Sequence, residues 1–297
     1  QFFDWVFKAQ KIKFGFSFFA LLRLNFSLLT AADYLATGEY SYQLKLETDE
    51  DWGIFSGEKR KNLVDAPRTN VGKGYNITAY DLFEKIKSGQ QSFQNPKGPS
   101  ENNLNTLRNE MAVKVLQTLE AHRDKRLFYL EAPTGGGKTN LSMLAVAELL
   151  RADPCLTKVF YVFPFTTLIT QTHKAIKETL LLDDEQIALL HSRAGFQTSG
   201  VKSGEDEVDA VYGNQRKDFF LNLFALYPFT LITHIRFFDI LKSNRKDDIY
   251  LMHRLANSVV VLDELQSYPP RQWDKMLFML DQYGKFFNIR FLLMSAT

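Results

Sequence analysis

The chain has 297 residues, 45% of them hydrophobic and 24% charged, the balance of an ordinary globular protein. Lys and Arg number 36 against 34 Asp and Glu, so the net charge is +2 and no global basic field announces a nucleic-acid partner; such binding has to come from local surfaces. The single cysteine, Cys155, excludes a disulfide framework within the chain and a multi-cysteine zinc site, and it suits a reducing, cytoplasmic setting.

Residues 1–45 are helical in character. Leu21, Leu22, Leu24, Leu28, Leu29 and Ala32 fall at mixed three- and four-residue spacings, as on a buried helix face. Lys8, Lys11, Lys13 and Arg23 interrupt this Phe- and Leu-rich start. Its longest uncharged stretch, Phe14 to Leu22, falls well short of the roughly 18–20 residues of a spanning helix, so the segment reads as core helix and no membrane partner is expected. Residues 46–103 read as a linker with one short helix around Tyr80 to Ile86. The later part, Ser88 to Ser92 and Asn95 to Ser100, is polar and broken by Gly and Pro.

From Leu104 the pattern becomes regular. A helix to Ala121 leads to a buried strand at Leu127–Glu131. Further apolar runs at Lys158–Phe163, Ile187–Leu190, Phe229–Thr233, Ser258–Leu262 and Ile289–Met294 predict strands, most of them separated by helices. Such alternation predicts an α/β fold with a parallel sheet covered on both faces. The insertion from Ser192 to Asn214, with Glu205, Asp206, Glu207 and Asp209, reads as a solvated loop.

The first predicted strand empties into Glu131-Ala-Pro-Thr-Gly-Gly-Gly-Lys-Thr139 and then into an apolar helix, Leu141 to Leu150. Gly135, Gly136 and Gly137 let the backbone turn tightly and present N–H groups to phosphate oxygens, with Thr134 at the entry to the loop. Lys138 brings a positive charge to the β- and γ-phosphates. Thr139 offers a hydroxyl to Mg2+ and opens a helix whose positive end faces the anion. The implied ligand is ATP with magnesium. Ala132 stands where the usual pattern has its first Gly.

Ser258-Val-Val-Val-Leu-Asp-Glu264 is an apolar strand ending in two carboxylates. Asp263 would sit at the carboxyl edge of the sheet, where open α/β sheets bind ligands, and can hold the metal. Glu264 can orient and deprotonate the attacking water. Thr166 and Thr167, within Phe163-Pro-Phe-Thr-Thr-Leu, and the hydroxyls of Thr230 and Thr233 could contact nucleic-acid phosphates; each taken alone reads better as an ordinary helix cap or strand end. Ser295-Ala-Thr297 closes the last strand.

Pro-Thr-Gly-Gly-Gly-Lys-Thr, Phe-Pro-Phe-Thr-Thr-Leu, Asp-Glu-Leu-Gln and Ser-Ala-Thr, in that order, resemble the first RecA-like domain of a superfamily 2 helicase over residues 104–297, and Ala132 matches that group's form of the phosphate loop. Gln266 and the following Ser-Tyr-Pro-Pro resemble the helicase-nuclease of type I CRISPR systems. Asn105-Thr-Leu-Arg108 stands in the position of an adenine-side motif, which implies nucleotide contacts for Asn105 and Arg108. Ser27-Leu-Leu-Thr-Ala-Ala-Asp33 resembles the end of the HD nuclease domain of that family, where the Asp matching Asp33 is a ligand of a divalent metal. Taken alone, Asp33 reads as a polar residue ending a core helix, and no His in the chain is followed by Asp.

The resemblance implies a division into an HD remnant at 1–45, a linker at 46–103 and a RecA-like domain at 104–297. It implies single-stranded DNA and an RNA-guided CRISPR surveillance complex as partners. Because the chain starts at Gln1 and ends after Ser295-Ala-Thr297, it is expected to be a fragment lacking a second RecA-like domain, and to turn ATP over poorly by itself. Another superfamily 2 helicase or translocase, and a non-catalytic nucleotide-binding module, remain as alternatives.

Overall fold

The computed structural model describes residues 15–42, 45–91, 104–164, 169–190, 220–268 and 270–296. Among them the predicted strands are strands, with small shifts at the ends: β1 (Leu127–Ala132), β2 (Lys158–Phe163), β3 (Ile187–Leu190), β4 (Phe229–Thr233), β5 (Ser258–Leu262) and β6 (Arg290–Ala296). They form one six-stranded sheet in the order β1-β6-β5-β2-β4-β3. Every neighbouring pair is parallel, so all six carboxyl ends lie along one edge. The helices are α1 (Phe16–Tyr42), α2 (Gly57–Thr69), α3 (Gly74–Lys87), α4 (Leu104–Ala121), α5 (Lys138–Ala152), α6 (Ile169–Leu180), α7 (His234–Lys242), α8 (Lys246–Ile249) and α9 (Trp273–Phe287).

The period of two along each strand divides the core. Val159, Tyr161, Val259, Val261, Leu292 and Met294 face α4, α5 and α6. Phe160, Val162, Val260, Leu262, Phe291 and Leu293 face α7 and α9. β2, β4 and β5 are buried at every position, as central parallel strands should be. β1 departs from the buried strand expected of it. It lies at the edge of the sheet, and Phe128, Leu130 and Ala132 are buried while Tyr129 is 57% exposed.

The stretch expected as a linker with one short helix instead holds α2 and α3, packed against α5, α4 and α6. The reason lies in α5, which is apolar nearly all round: Leu141, Met143, Leu144, Val146, Leu149 and Leu150 are all buried. A helix of that kind needs cover on its outer side as well as on the sheet side. Leu63, Val64, Tyr80 and Phe83 of α2 and α3 provide it. Polar anchors fix the arrangement. Arg60 donates to the carbonyls of Leu150 (2.6 Å) and Asp153 (3.0 Å) at the carboxyl end of α5. Glu148 of α5 accepts from Tyr80 Oη (2.7 Å) and Arg68 Nη2 (3.2 Å).

In α1 the leucines do not form the buried face. Ala20, Arg23, Ser27 and Ala31 do, while Leu21, Leu22, Leu28 and Leu29 are exposed. Arg23 donates to the carbonyls of Ile240 (2.5 Å) and Ser243, and Ser27 donates to the Tyr250 carbonyl (2.7 Å). By length and composition alone α1 is long and apolar enough to cross a bilayer, contrary to what the Phe14–Leu22 stretch suggested. Its docked face, however, carries a buried guanidinium fixed to α7 and to Ser243 just after it. The insertion read as a solvated loop lies outside the described residues.

Candidate nucleotide-binding site

The glycine loop joins β1 to α5 at the carboxyl edge of the sheet. Gly135 and Gly137 have φ of +79° and +81°, a region in which a side chain is strained, and a Cβ on either would meet nothing within 4 Å. Glycine is needed there for backbone angle, and open space lies beside it. Gly136 is different, since a Cβ would come within 2.9 Å of the Pro133 carbonyl. The loop is closed by the Gly136 N–H donating to that same carbonyl at 2.9 Å. Thr134 is exposed at the entry to the loop. Lys138 and Thr139 are the first residues of α5, so the loop amides and the positive helix end point to one place.

Of Asn105 and Arg108, expected beside the nucleotide, Arg108 reaches the loop and Asn105 is bonded to Arg108. Arg108 Nη2 donates to the Gly135 carbonyl at 2.8 Å, and its Nη1 donates to Asn105 Oδ1 at 3.2 Å.

On β5 the alternation that turns Val259 and Val261 toward α5 carries on to Asp263, which therefore faces the glycine loop's side of the sheet. Both its oxygens are engaged: Oδ2 accepts from Tyr161 Oη at 2.7 Å and Oδ1 accepts from the Glu264 N–H at 2.8 Å. Burial raises the Asp263 carboxyl above its usual range, opposed by the Tyr161 hydrogen bond and by the charge of Lys138. Burial, reinforced by the Asp263 charge, also raises the Tyr161 phenol well above its ordinary value, so it remains a donor. Tyr161 was not singled out in the sequence. The signal was a lone hydroxyl-bearing ring inside the apolar run of β2, in register with Val261 two residues before Asp263.

Glu264 has φ 52° and ψ 53°, a left-handed conformation unusual for a residue with a Cβ and of the sort found at functional sites. Its Oε1 lies 3.2 Å from Lys138 Nζ, and the two side chains are 29% and 15% exposed. Its Oε2 accepts from the Gln266 amide. Gln266 in turn accepts from Ser295 Oγ at 2.8 Å and from the Ala296 N–H at 3.3 Å, so the ends of β5 and β6 are tied together through one side chain.

Lys138, Thr139, Asp263 and Glu264 thus belong to one site. A half-buried carboxylate with a lysine nearby, a helix amino end and an open glycine loop suit a triphosphate with a divalent cation, for which Asp263 and Thr139 would be the protein ligands. Other expected residues are placed elsewhere. Thr166, Thr167 and Thr297 lie outside the described residues. Thr230 is fully buried, and Thr233 is 5% exposed and caps α7 by accepting from the Arg236 N–H at 3.4 Å. Asp33 is exposed in the middle of α1 and does not end it. Among the described residues no group of three or more His, Cys, Asp or Glu could hold a metal ion.

Residues 112–297, more than half of the chain, match the DEAD/DEAH box helicase family. The chain is also similar to the CRISPR-associated nuclease/helicase Cas3 of Haloferax volcanii, with 25% identity over 175 residues. That stretch is 57% of this chain and only 19% of the relative's length.

Proposed function

Because the chain belongs to the DEAD/DEAH box helicase family, whose members use ATP and magnesium to act on nucleic acid, we propose that it is the motor part of a CRISPR-type helicase-nuclease. In this reading it translocates on single-stranded DNA in the cytoplasm, beside an RNA-guided surveillance complex, and α1 is the end of an HD domain whose metal ligands include Asp33. The motor reading is carried by the convergence of Lys138, Asp263 and Glu264 at the carboxyl edge of one parallel sheet. The CRISPR reading is supported by the similarity to Cas3, by Gln266 after Asp263-Glu264, and by the Asp33 segment.

The chemistry follows from the contacts. Lys138 pairs with Glu264, and a γ-phosphate at the loop competes for that ammonium. Release from Lys138 leaves Glu264 held by Gln266 and able to take a proton from water. Magnesium, which Thr139 and Asp263 would hold, would supply charge neutralisation on the triphosphate. Gln266, also bonded to Ser295 and Ala296, ties the position of Glu264 to the end of β6.

The test is ATP turnover by the protein containing this chain, with single-stranded DNA or RNA added. DNA-stimulated turnover abolished by Lys138→Ala, together with ATP-dependent degradation of target DNA marked by the surveillance complex, is expected. Stimulation by RNA alone would refute the DNA assignment.

A further inference from the structure

The hydroxyl of Tyr161 is a polar atom on a side chain with no exposed surface, in a strand otherwise made of Lys, Val and Phe. A phenylalanine would fill the same volume against Val159, Phe163 and α5. Burying a hydroxyl is unfavourable unless it is bonded, and this one donates to Asp263 Oδ2 at 2.7 Å. Glu264 N–H holds the other oxygen at 2.8 Å. Two donors, one on each oxygen, fix the plane of the carboxylate and still leave each oxygen a free lone pair. The side chains of Thr139 and Ser142 lie near the same phenol, so Tyr161 neighbours both groups assigned to the cation.

We propose that Tyr161 is a positioning residue for the cation step of nucleotide binding: it presets the Asp263 carboxylate against Thr139, so that the divalent ion meets an ordered ligand. This rests on the nucleotide-site reading above. Ligands held rigid by supporting hydrogen bonds bind metal more tightly than ligands left free to rotate, and removing such support typically costs about 10–100-fold in affinity.

The experiment is Tyr161→Phe in the full chain, with Mn2+ as the probe. Mn2+ binding in the presence of ATP is followed by electron paramagnetic resonance, and ATP binding in EDTA by calorimetry. We expect Mn2+ affinity to fall about tenfold while ATP affinity in EDTA and the melting temperature stay at the parent values. An equal loss in both titrations would make Tyr161 a packing residue and overturn the proposal, as would no change in either. Lys138→Ala in the same titrations keeps the two readings apart. If that variant binds ATP in EDTA as the parent does, the nucleotide-site reading fails independently of Tyr161.

Discussion

Lys138 Nζ lies 3.2 Å from Glu264 Oε1, so the lysine meant for phosphate and the carboxylate meant for water hold each other. Both side chains are partly exposed, and a pair of that kind contributes at most about 1 kcal/mol to stability. Lys138→Met should therefore leave the melting curve nearly unchanged while lowering ATP affinity at least tenfold, as seen by calorimetry. A large loss of stability with ATP affinity intact would reverse the assignment.

A second prediction concerns the helices outside the sheet. Asn76 is 1% exposed and exchanges two hydrogen bonds with Asn140, the residue after Thr139: Asn76 Nδ2 to Asn140 Oδ1 at 3.1 Å and Asn140 Nδ2 to Asn76 Oδ1 at 2.7 Å. Asn76→Ala removes a buried amide, leaves the half-buried Asn140 amide without this partner, and should cost about 1 kcal/mol in urea unfolding. Adding Asn140→Ala should cost less than the sum of the single changes, because the partner is already lost. Strict additivity would show that α3 does not support the start of α5.

What could be read from the sequence, and what could not, separates along physical lines. Apolar strands and the glycine loop were legible because period-two burial and the geometry of phosphate binding both leave strong local patterns. α2 was not, and α3 only in its second half, Tyr80 to Ile86, because Gly57, Pro67, Gly72 and Gly74 look like loop and few residues of α2 are apolar. Their binding energy is partly in Arg60, Arg68 and Asn70, which reach carbonyls and a carboxylate on other helices. The available sign was indirect: an α5 apolar nearly all round needs more than a sheet to cover it. α1 misled for the opposite reason, since it docks through Ala20, Arg23 and Ser27 and turns its leucines outward.

Lys158 supplies a test by pH. It is 8% exposed, and burial, with Arg254 adding repulsion, lowers its ammonium from 10.5 to about 7. Between those two values the unfolded chain holds a proton that the folded chain has released, so stability rises with pH across the window and is reduced below it. Lys158→Met should stabilise the protein at neutral pH and flatten this slope in unfolding curves taken at pH 7, 8 and 9. Parallel curves for parent and variant would show that Lys158 stays charged when folded.

Gln266 bonds Glu264 on one side and Ser295 on the other. Gln266→Ala and Ser295→Ala should interact in ATP turnover, with a coupling of about 0.5–3 kcal/mol in a double-mutant cycle. A coupling near zero would mean that the end of β6 does not sense Glu264.

The central claim is that Glu264 activates water while Lys138 and the glycine loop bind the triphosphate. Glu264→Gln in the protein containing this chain separates those two roles, with ATP binding measured by calorimetry and turnover by phosphate release. ATP affinity at or above the parent value, since Lys138 loses its competing partner, with turnover reduced by about 10²–10⁴, is the predicted result. Turnover at the parent rate would contradict it.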